Sequence, residues 1–371
     1  MSIFDYGGQE YFTYELLSLD GGIYKHSQWI SNYIETGSID IDFDRSIISS
    51  AKFQLKDLAN VSGMTDINYL SDLIKPYYNF VANGTLYTIP LGHYMLLSPQ
   101  KKTNGQLVSR SIDGYDLLKA LDQDKTIVSK TFSSGTNVVE AIEGLLDDVG
   151  IWVNYQIEPS DEELSEDISY ELGKSTLFII NSLLNMINYY PLWVNGNGVY
   201  KGVPWSATPN ITHEFIDNEV SLYEEEVDLD VDYSEIYNRV VIINNQLEEN
   251  TAPLYKVWTM EDEGLTAHPF SYTNIGRYVT KIFQSEATTQ DYVDLRARRE
   301  LRKMLEIEEA VSYKHAFVTS RLDDGIPWQG DAYRFKNENL DLDYTYKIIK
   351  QSYSLQPGVT VKSDIKRVKL T

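Results

Sequence analysis

Apolar and polar residues alternate with a period of two along much of the chain, most clearly in residues 39–56. Isoleucine or phenylalanine alternates with aspartate in residues 39–44, and apolar residues alternate with lysine and glutamine in residues 51–56. Successive side chains of a strand lie on opposite faces. The segment therefore predicts an acidic-faced strand followed by a basic-faced strand, and their opposite charges favour pairing.

The spacing of Asp40, Asp42 and Asp44 also matches the start of a calcium-binding loop. Such a loop needs glycine at its sixth position and a bidentate glutamate at its twelfth. Arg45 and Ala51 occupy these positions, so a strand is favoured over a metal site. A second acidic run, residues 228–232, fails the same test and predicts a strand with Val227, Leu229 and Val231 facing inward.

Residues 1–113 contain apolar runs separated by tight-turn signals, as in β structure, and are predicted to form a first barrel-like domain. Residues 86–97 are the strongest strand candidate, although Pro90 and Gly92 favour an edge position or a bulge. Tight turns are predicted at Gly21-Gly22, Asn83-Gly84 and Asn104-Gly105.

Residues 114–204 predict a small inserted α+β domain. Apolar residues at helical spacing predict a helix over residues 136–149, capped by Thr136, and a second over residues 176–190, capped by Ser175. The acidic run 158–167 between them predicts a solvated loop, and a hairpin is predicted over residues 192–201 around Asn195-Gly196.

Residues 205–371 predict a second barrel-like domain that includes a long amphipathic helix at residues 290–311. Residues 236–244 predict a central strand, and residues 344–355 and 360–370 predict a final strand pair. The predicted fold class is thus α+β, mainly β, with two barrel-like domains. A solvated face is favoured over docking on an acidic neighbour for the basic residues of the helix, Arg296, Arg298, Arg299, Arg302 and Lys303.

The composition narrows the possible partners. Fifty-five acidic residues against 32 basic ones give a net charge of −23, which repels a phosphate backbone and argues against specific binding of nucleic acid. The acidity has two possible roles: it keeps the protein soluble, or it lines a surface that polyanions pass without binding. The 28 tyrosines indicate either partner surface or strand-rich core. The chain contains no cysteine, no apolar run of 18 residues and no signal-peptide pattern.

Known catalytic and ligand-binding motifs are absent from the sequence. Gly173-Lys174-Ser175 lacks the earlier glycine of a phosphate loop, because Ile168 holds that position, and a helix start explains Ser175. The five histidines form no helical zinc pair, and no Gly-x-Ser-x-Gly elbow is present. A carboxylate pair cannot be selected among 55 acids. We therefore assign no catalytic, cofactor-binding or metal residue.

Several segments together resemble the central hub proteins of phage tail tips and baseplates. That family comprises the contractile-tail hub protein, late-control D-like proteins and the N-terminal module of tail-associated lysins. The resemblance covers most of the chain in order and spacing, and each motif is structural rather than catalytic. The matching segments are residues 42–53, 90–99, 112–118, 191–200 and 356–358.

The resemblance implies a virion protein with two barrel-like tube domains and smaller inserted domains. Three copies would form a ring whose six barrels continue the tail tube, and a negative lumen would let DNA pass without binding. The implied partners are a distal tail protein or tube ring and a tip, spike or fibre protein. Synthesis in the host cytoplasm is implied as well.

The lysins of this family carry an enzyme domain after the hub module, whereas Thr371 follows the last predicted strands here. The expected role is therefore structural and not enzymatic. Two alternatives stay open: a cell-wall or carbohydrate-active hydrolase that uses paired carboxylates, and a β-rich adhesion or carbohydrate-binding module.

Overall fold

The structure is a computed structural model that describes most of the chain. The described residues are 10–56, 67–82, 84–104, 107–150, 152–206, 208–218, 222–230, 236–244, 254–285, 290–305, 309–317, 325–358 and 360–367. Within them the chain forms 22 strands and five helices, so the predicted mainly β, α+β class is confirmed.

The N-terminal region forms eight strands. They are β1 (Glu10–Asp20), β2 (Ile23–Trp29), β3 (Ile34–Asp42), β4 (Ser49–Leu55), β5 (Leu73–Ala82), β6 (Thr85–Pro90), β7 (Tyr94–Asn104) and β8 (Leu107–Tyr115). Their order in the sheet is β3-β4-β8-β7-β5-β1-β2, with β6 paired to β5. The predicted strand over residues 86–97 is in fact two strands, because the chain breaks at Gly92, whose φ is +122°.

The middle region packs three helices on short strands. Its elements are α1 (Leu118–Gln123), β9 (Lys130–Phe132), α2 (Val138–Val149), β10 (Asn154–Ile157), β11 (Ile168–Tyr170), α3 (Thr176–Met186), β12 (Trp193–Val194) and β13 (Val199–Gly202). Ser175 caps α3, as predicted. The predicted cap Thr136 is wrong, because the Asn137 side chain accepts from the amides of Val139 and Glu140. The predicted hairpin over residues 192–201 is confirmed.

The C-terminal region contributes nine strands and two helices. They are β14 (Asn210–Ile216), β15 (Tyr223–Asp230), β16 (Arg239–Asn244), β17 (Leu254–Thr259), α4 (Tyr272–Ile275), β18 (Thr280–Gln284), α5 (Gln290–Leu305), β19 (Ala310–His315), β20 (Asp331–Asn337), β21 (Leu342–Ser354) and β22 (Val361–Arg367). The predicted helix over residues 290–311 is too long. Val311, Tyr313 and His315 are buried at alternate positions, which is the period of a strand.

One continuous 14-stranded sheet, called the large sheet below, runs through both ends of the chain. The C-terminal group β15-β19-β22-β21 joins the N-terminal group through antiparallel pairing of β21 with β3. Ile39 faces Tyr353 and Ile41 faces Gln351 across this junction. The predicted strand pair of residues 39–55 is confirmed as β3 and β4, although β3 ends at Asp42 and Phe43 begins the turn.

Within the described part of the chain, buried apolar residues form three clusters. One lies under the N-terminal strands and extends into the helices α2 and α3. A second, centred on Phe215, Phe335 and Tyr346, lies under the C-terminal strands. The third joins α5 to the separate sheet β17-β16-β18, called the small sheet below, through Val240, Ile242 and residues of α5. The predicted central position of residues 236–244 is confirmed by β16.

Close backbone and ring contacts fix the middle region on the large sheet. Gly198, at φ +76°, lies where an added Cβ would meet Nδ1 of His93 at 2.1 Å. The amide of Gly92 donates to the carbonyl of Gly196 over 3.2 Å. On the other side Trp328 stacks on Trp193 with 5.8 Å between ring centroids. These contacts require the small side chain at Gly198 and leave little freedom between the two parts.

Candidate assembly surfaces

The three aspartates of the first strand pair have different environments. Asp42 is 8% exposed and pairs with Arg45 at 3.0 Å and with Lys350 of β21 at 3.3 Å. Asp40 is exposed and accepts from the hydroxyl of Ser352 over 2.6 Å, and Asp44 is exposed in the turn. Asp40 and Asp42 thus contact β21, so part of the predicted acidic face stabilises the pairing of β21 with β3.

The outward face of the large sheet is polar and carries both signs of charge. Across it Asp40 lies opposite Ser352 and Ser352 opposite Lys362, while Lys52 lies opposite Asp113 of β8. Cross-strand neighbours of opposite charge stabilise such a face in water. The expected direct opposition of charges between β3 and β4 is not found, because Asp40 faces Ser50 and Lys52 faces Ser38.

Strand β15 forms an acidic edge of the large sheet. Among the described strands it pairs with β19 alone, and five acidic residues on it are exposed: Glu224, Glu225, Glu226, Asp228 and Asp230. Glu224 pairs with Lys314 over 3.4 Å. Leu229, predicted to face inward, is 37% exposed because the edge strand lacks a neighbour on one side, and Val231 lies outside the described residues. Charge on an edge strand opposes unwanted strand pairing.

The small sheet has one covered face and one open apolar face. Val240 and Ile242 of β16 are fully buried against α5. The alternate residues of β16, Val241 and Ile243, lie on the opposite face beside Val257 and Tyr255 of β17 and Ile282 of β18. We call these five residues the outer face. Tyr255 is 62% exposed and Ile282 60%, so apolar side chains of this face are open to solvent.

Helix α5 is fastened by its basic residues, and the favoured solvated face is wrong for Arg299, which is buried. Arg298 and Arg302 both pair with Glu263, at 2.6 and 3.0 Å. Arg299 is 7% exposed, and its two terminal nitrogens donate to Asn188 at 3.1 Å and Asn185 at 2.5 Å. The side chain of Lys303 lies outside the described residues. Docking on neighbouring groups, the alternative interpretation, describes Arg299, whereas the side chain of Arg298 is 52% exposed.

A large cleft opens where the middle region, α5 and the C-terminal strands meet. Its volume is about 1040 Å³, and α3, α5 and β21 supply much of its lining. We call it the junction cleft. Among its residues are Asn181 and Phe178 of α3 and Leu295 of α5. Across its rim, the Tyr292 hydroxyl donates to Glu162 over 2.8 Å. The cleft combines polar and apolar side chains in one concave surface.

Asp116 and His315 are buried titratable groups that lie outside the residues lining the cleft. Burial raises the pKa of Asp116 to about 7, although the amides of Ser49 and Leu118 donate to it over 2.8 and 3.1 Å. Burial lowers the pKa of His315 to about 3, and its ring nitrogens bond the Ala316 carbonyl and the Ser363 hydroxyl. Both groups have hydrogen-bond partners and serve the packing around them.

Candidate ligand chemistry in the sequence has a structural explanation. The described part of the chain brings together no group of three metal-ligating side chains, and none of its helices is long and apolar enough to span a membrane. At Gly173-Lys174-Ser175, the serine caps α3 and the lysine ammonium lies 4.6 Å from the ring centre of Phe178. A helix start thus accounts for this tripeptide, as predicted.

The assembly surfaces were only partly visible in the sequence. Val240 to Ile243 are four consecutive apolar residues, a pattern typical of a strand that is covered on both faces. That run could have indicated that β16 carries apolar side chains on both faces. Arg299 carries no comparable signal, since its neighbours Asn185 and Asn188 lie more than 100 residues away in sequence.

Comparisons with known proteins bear on the fold. No protein-family model and no curated protein sequence matches the chain. The structure is similar to the tail protein from Neisseria meningitidis MC58, with a TM-score of 0.63 and 14% identity over 96% of this chain and 97% of that one. It is also similar to the 43 kDa tail protein of prophage MuSo2 from Shewanella oneidensis, with a TM-score of 0.64 and 12% identity over 97% and 98% of the two chains.

A chain of the half-lidded Francisella PdpA-VgrG complex is similar as well. Its TM-score is 0.59 at 11% identity, and the match covers 98% of this chain and 59% of that chain. Identities this low show the fold alone. The fold is that of phage and prophage tail proteins, and it extends to a VgrG-containing complex, so the resemblance drawn from the sequence is confirmed at the level of fold.

Proposed function

We propose that the chain is a structural virion protein, a trimeric hub at the distal end of a phage tail that joins the tube to a tip, spike or fibre. The observation that carries the proposal is the similarity to tail proteins over almost the full length of both chains. The domain division at residues 113 and 204 into two barrel-like tube domains and an insert belongs to the same proposal.

The junction of β21 with β3 supports a ring-forming role. It joins the N-terminal and C-terminal strands into one sheet, so each copy has two sheet regions whose relative position is fixed. Three copies would then supply six regions, which matches a tube of sixfold symmetry. A contact between different patches of successive copies closes a ring, whereas a two-fold contact gives a dimer. The outer face is one surface available for such a contact.

The charge of the chain supports passage of DNA without specific binding. A net charge of −23 gives a phosphate backbone no excess of basic partners. The exposed acidic edge β15 adds to the repulsion wherever it lies in the ring. We further propose that a distal tail protein or tube ring and a tip, spike or fibre protein are the partners, and that the chain has no enzymatic role and is made in the host cytoplasm.

Sedimentation equilibrium and negative-stain imaging test the proposal. We expect a mass three times that of the chain and a ring with a central channel, either for the chain alone or after mixing with purified tail tubes. A matched pair of variants sharpens the test: Ile282→Asp on the outer face and Lys362→Asp on the polar face of the large sheet. A strict monomer that hydrolyses purified cell wall, and loses this activity on mutation of one carboxylate, would overturn it.

A further inference from the structure

Basic side chains outnumber acidic ones in the lining of the junction cleft, in contrast to the whole protein. Four basic residues line it, Arg296, Arg299, Lys347 and Lys366, against the two carboxylates of Asp44 and Glu163, and Arg299 is paired with Glu300 at 3.0 Å. The chain as a whole carries 55 acids and 32 bases. A concave surface with an excess of one sign concentrates its field and attracts ligands of the other sign. The cleft therefore favours an acidic occupant.

Asparagine side chains give the cleft further hydrogen-bond donors. The Oδ1 atom of Asn181 accepts from the amide of Leu192 over 2.8 Å, and those of Asn185 and Asn188 accept from Arg299. Their acceptors are thus occupied, while the Nδ2 groups make no hydrogen bond to other described residues. Carboxamide donors of this kind match the carbonyl groups of an extended polypeptide.

Apolar side chains remain open at the same cleft. Phe178 is 44% exposed and Leu295 47%, and both line it. Burial of such groups by a ligand is favourable at roughly 25 cal/mol per Å² of apolar area. A small inorganic anion would leave them in water, and a nucleic acid backbone would bring no aliphatic groups to cover them. The lining fits a ligand that carries both carboxylates and apolar side chains.

We propose that the junction cleft binds an acidic, extended peptide segment of a partner protein, with apolar side chains seated between α3 and α5. The volume of about 1040 Å³ exceeds what a single side chain needs and suits a short segment. This binding does not depend on ring formation, so its failure and the failure of the trimer proposal are separate outcomes.

Selection from a random dodecapeptide library by messenger-RNA display on the full chain tests the proposal. We expect enriched peptides that combine aspartate or glutamate with leucine, isoleucine or phenylalanine. In fluorescence anisotropy, a selected peptide should lose affinity when the salt concentration rises from about 50 to about 300 mM, because the Debye length shortens.

Matched variants locate the binding. Lys366→Glu, in the cleft, should weaken the selected peptide by about tenfold or more, whereas Lys362→Glu on the same strand changes the charge equally and should have less than about a twofold effect. Leu295→Ser should weaken binding, while Ile127→Ser, at a side chain 87% exposed outside the lining, should not. Thermal unfolding of each variant verifies folding.

Four outcomes would overturn the proposal. They are enrichment of basic or purely apolar peptides, equal effects of the paired variants, no enrichment at all, and competition by duplex DNA.

Discussion

The large and the small sheet each bury one face, but the other face is polar in the large sheet and apolar in the small sheet. The large sheet buries Phe53 and Ile39 on its inner side and presents Lys52 and Asp40 to water. The small sheet buries Val240 and Ile242 against α5, yet its second face is apolar and open. The first sheet is complete within one chain. The second has the composition of a sheet that is covered on both sides, but the described residues cover only one of them.

The largest expected effect tests how far the large sheet depends on its own core. Phe53 is fully buried on β4 and meets the rings of Tyr14 and Tyr94 edge-on, with centroids 6.1 and 6.0 Å away. Phe53→Ala should lower the free energy of unfolding by about 3–5 kcal/mol in urea titrations. Lys52→Ala, the exposed neighbour, should change it by less than about 0.5 kcal/mol. Similar losses for both variants would contradict this account of the sheet.

The next prediction distinguishes the core of the large sheet from that of the small sheet by how the free energy of unfolding depends on pH. Asp116 is buried beside β4 and has a pKa raised to about 7, whereas the small sheet packs apolar residues on α5. Between pH 4 and 7 folded Asp116 keeps a proton that the unfolded chain releases. Its contribution to the free energy of unfolding therefore falls across this range, by at most about 4 kcal/mol, and levels off above it.

The measurement compares the wild type with Asp116→Asn in urea at several pH values. His315 titrates with the opposite sign, because its lowered pKa lets the unfolded chain gain a proton first as the pH falls below 6.5. Only the difference between the two proteins isolates Asp116. We expect the variant to gain stability relative to the wild type from pH 4 to 7. A difference that stays constant with pH would show that Asp116 does not titrate in this range.

The smallest effect on stability concerns the outer face. Ile282 is 60% exposed, so Ile282→Ser should change the free energy of unfolding of the isolated chain by less than about 0.5 kcal/mol. The same variant should bind less of the dye ANS, since the apolar patch becomes smaller. A large loss of stability would mean that the chain itself covers this face, and the contrast between the two sheets would disappear.

Much of the secondary structure could be predicted from the sequence because local patterns determine it. The alternation in residues 39–55 indicated β3 and β4, and Ser175 indicated the start of α3. The errors also have local causes. The predicted helix over residues 290–311 wrongly included the start of β19. Charged residues follow α5 without a clear stop signal, and Val311 fits both the helical and the strand period.

The surfaces depend on contacts that no local pattern encodes. Asp42 lies in an alternating acidic strand, but it pairs with Lys350, which is more than 300 residues away. The junction cleft likewise exists only because α3, α5 and β21 come together in space. Charge counting on α5 favoured a solvated face, because the sequence does not show that Glu263 and two asparagines lie beside its arginines.

The pairing of β3 with β21 has a consequence for how the chain is made. Strand β3 leaves the ribosome early, but its partner β21 begins at Leu342, so one side of β3 lacks its partner during most of synthesis. Contacts between residues so distant in sequence form slowly, and an unpaired strand edge is prone to aggregation. The N-terminal strands must therefore wait for the C-terminal ones, and a chain interrupted before β21 would expose this edge to chaperones and proteases.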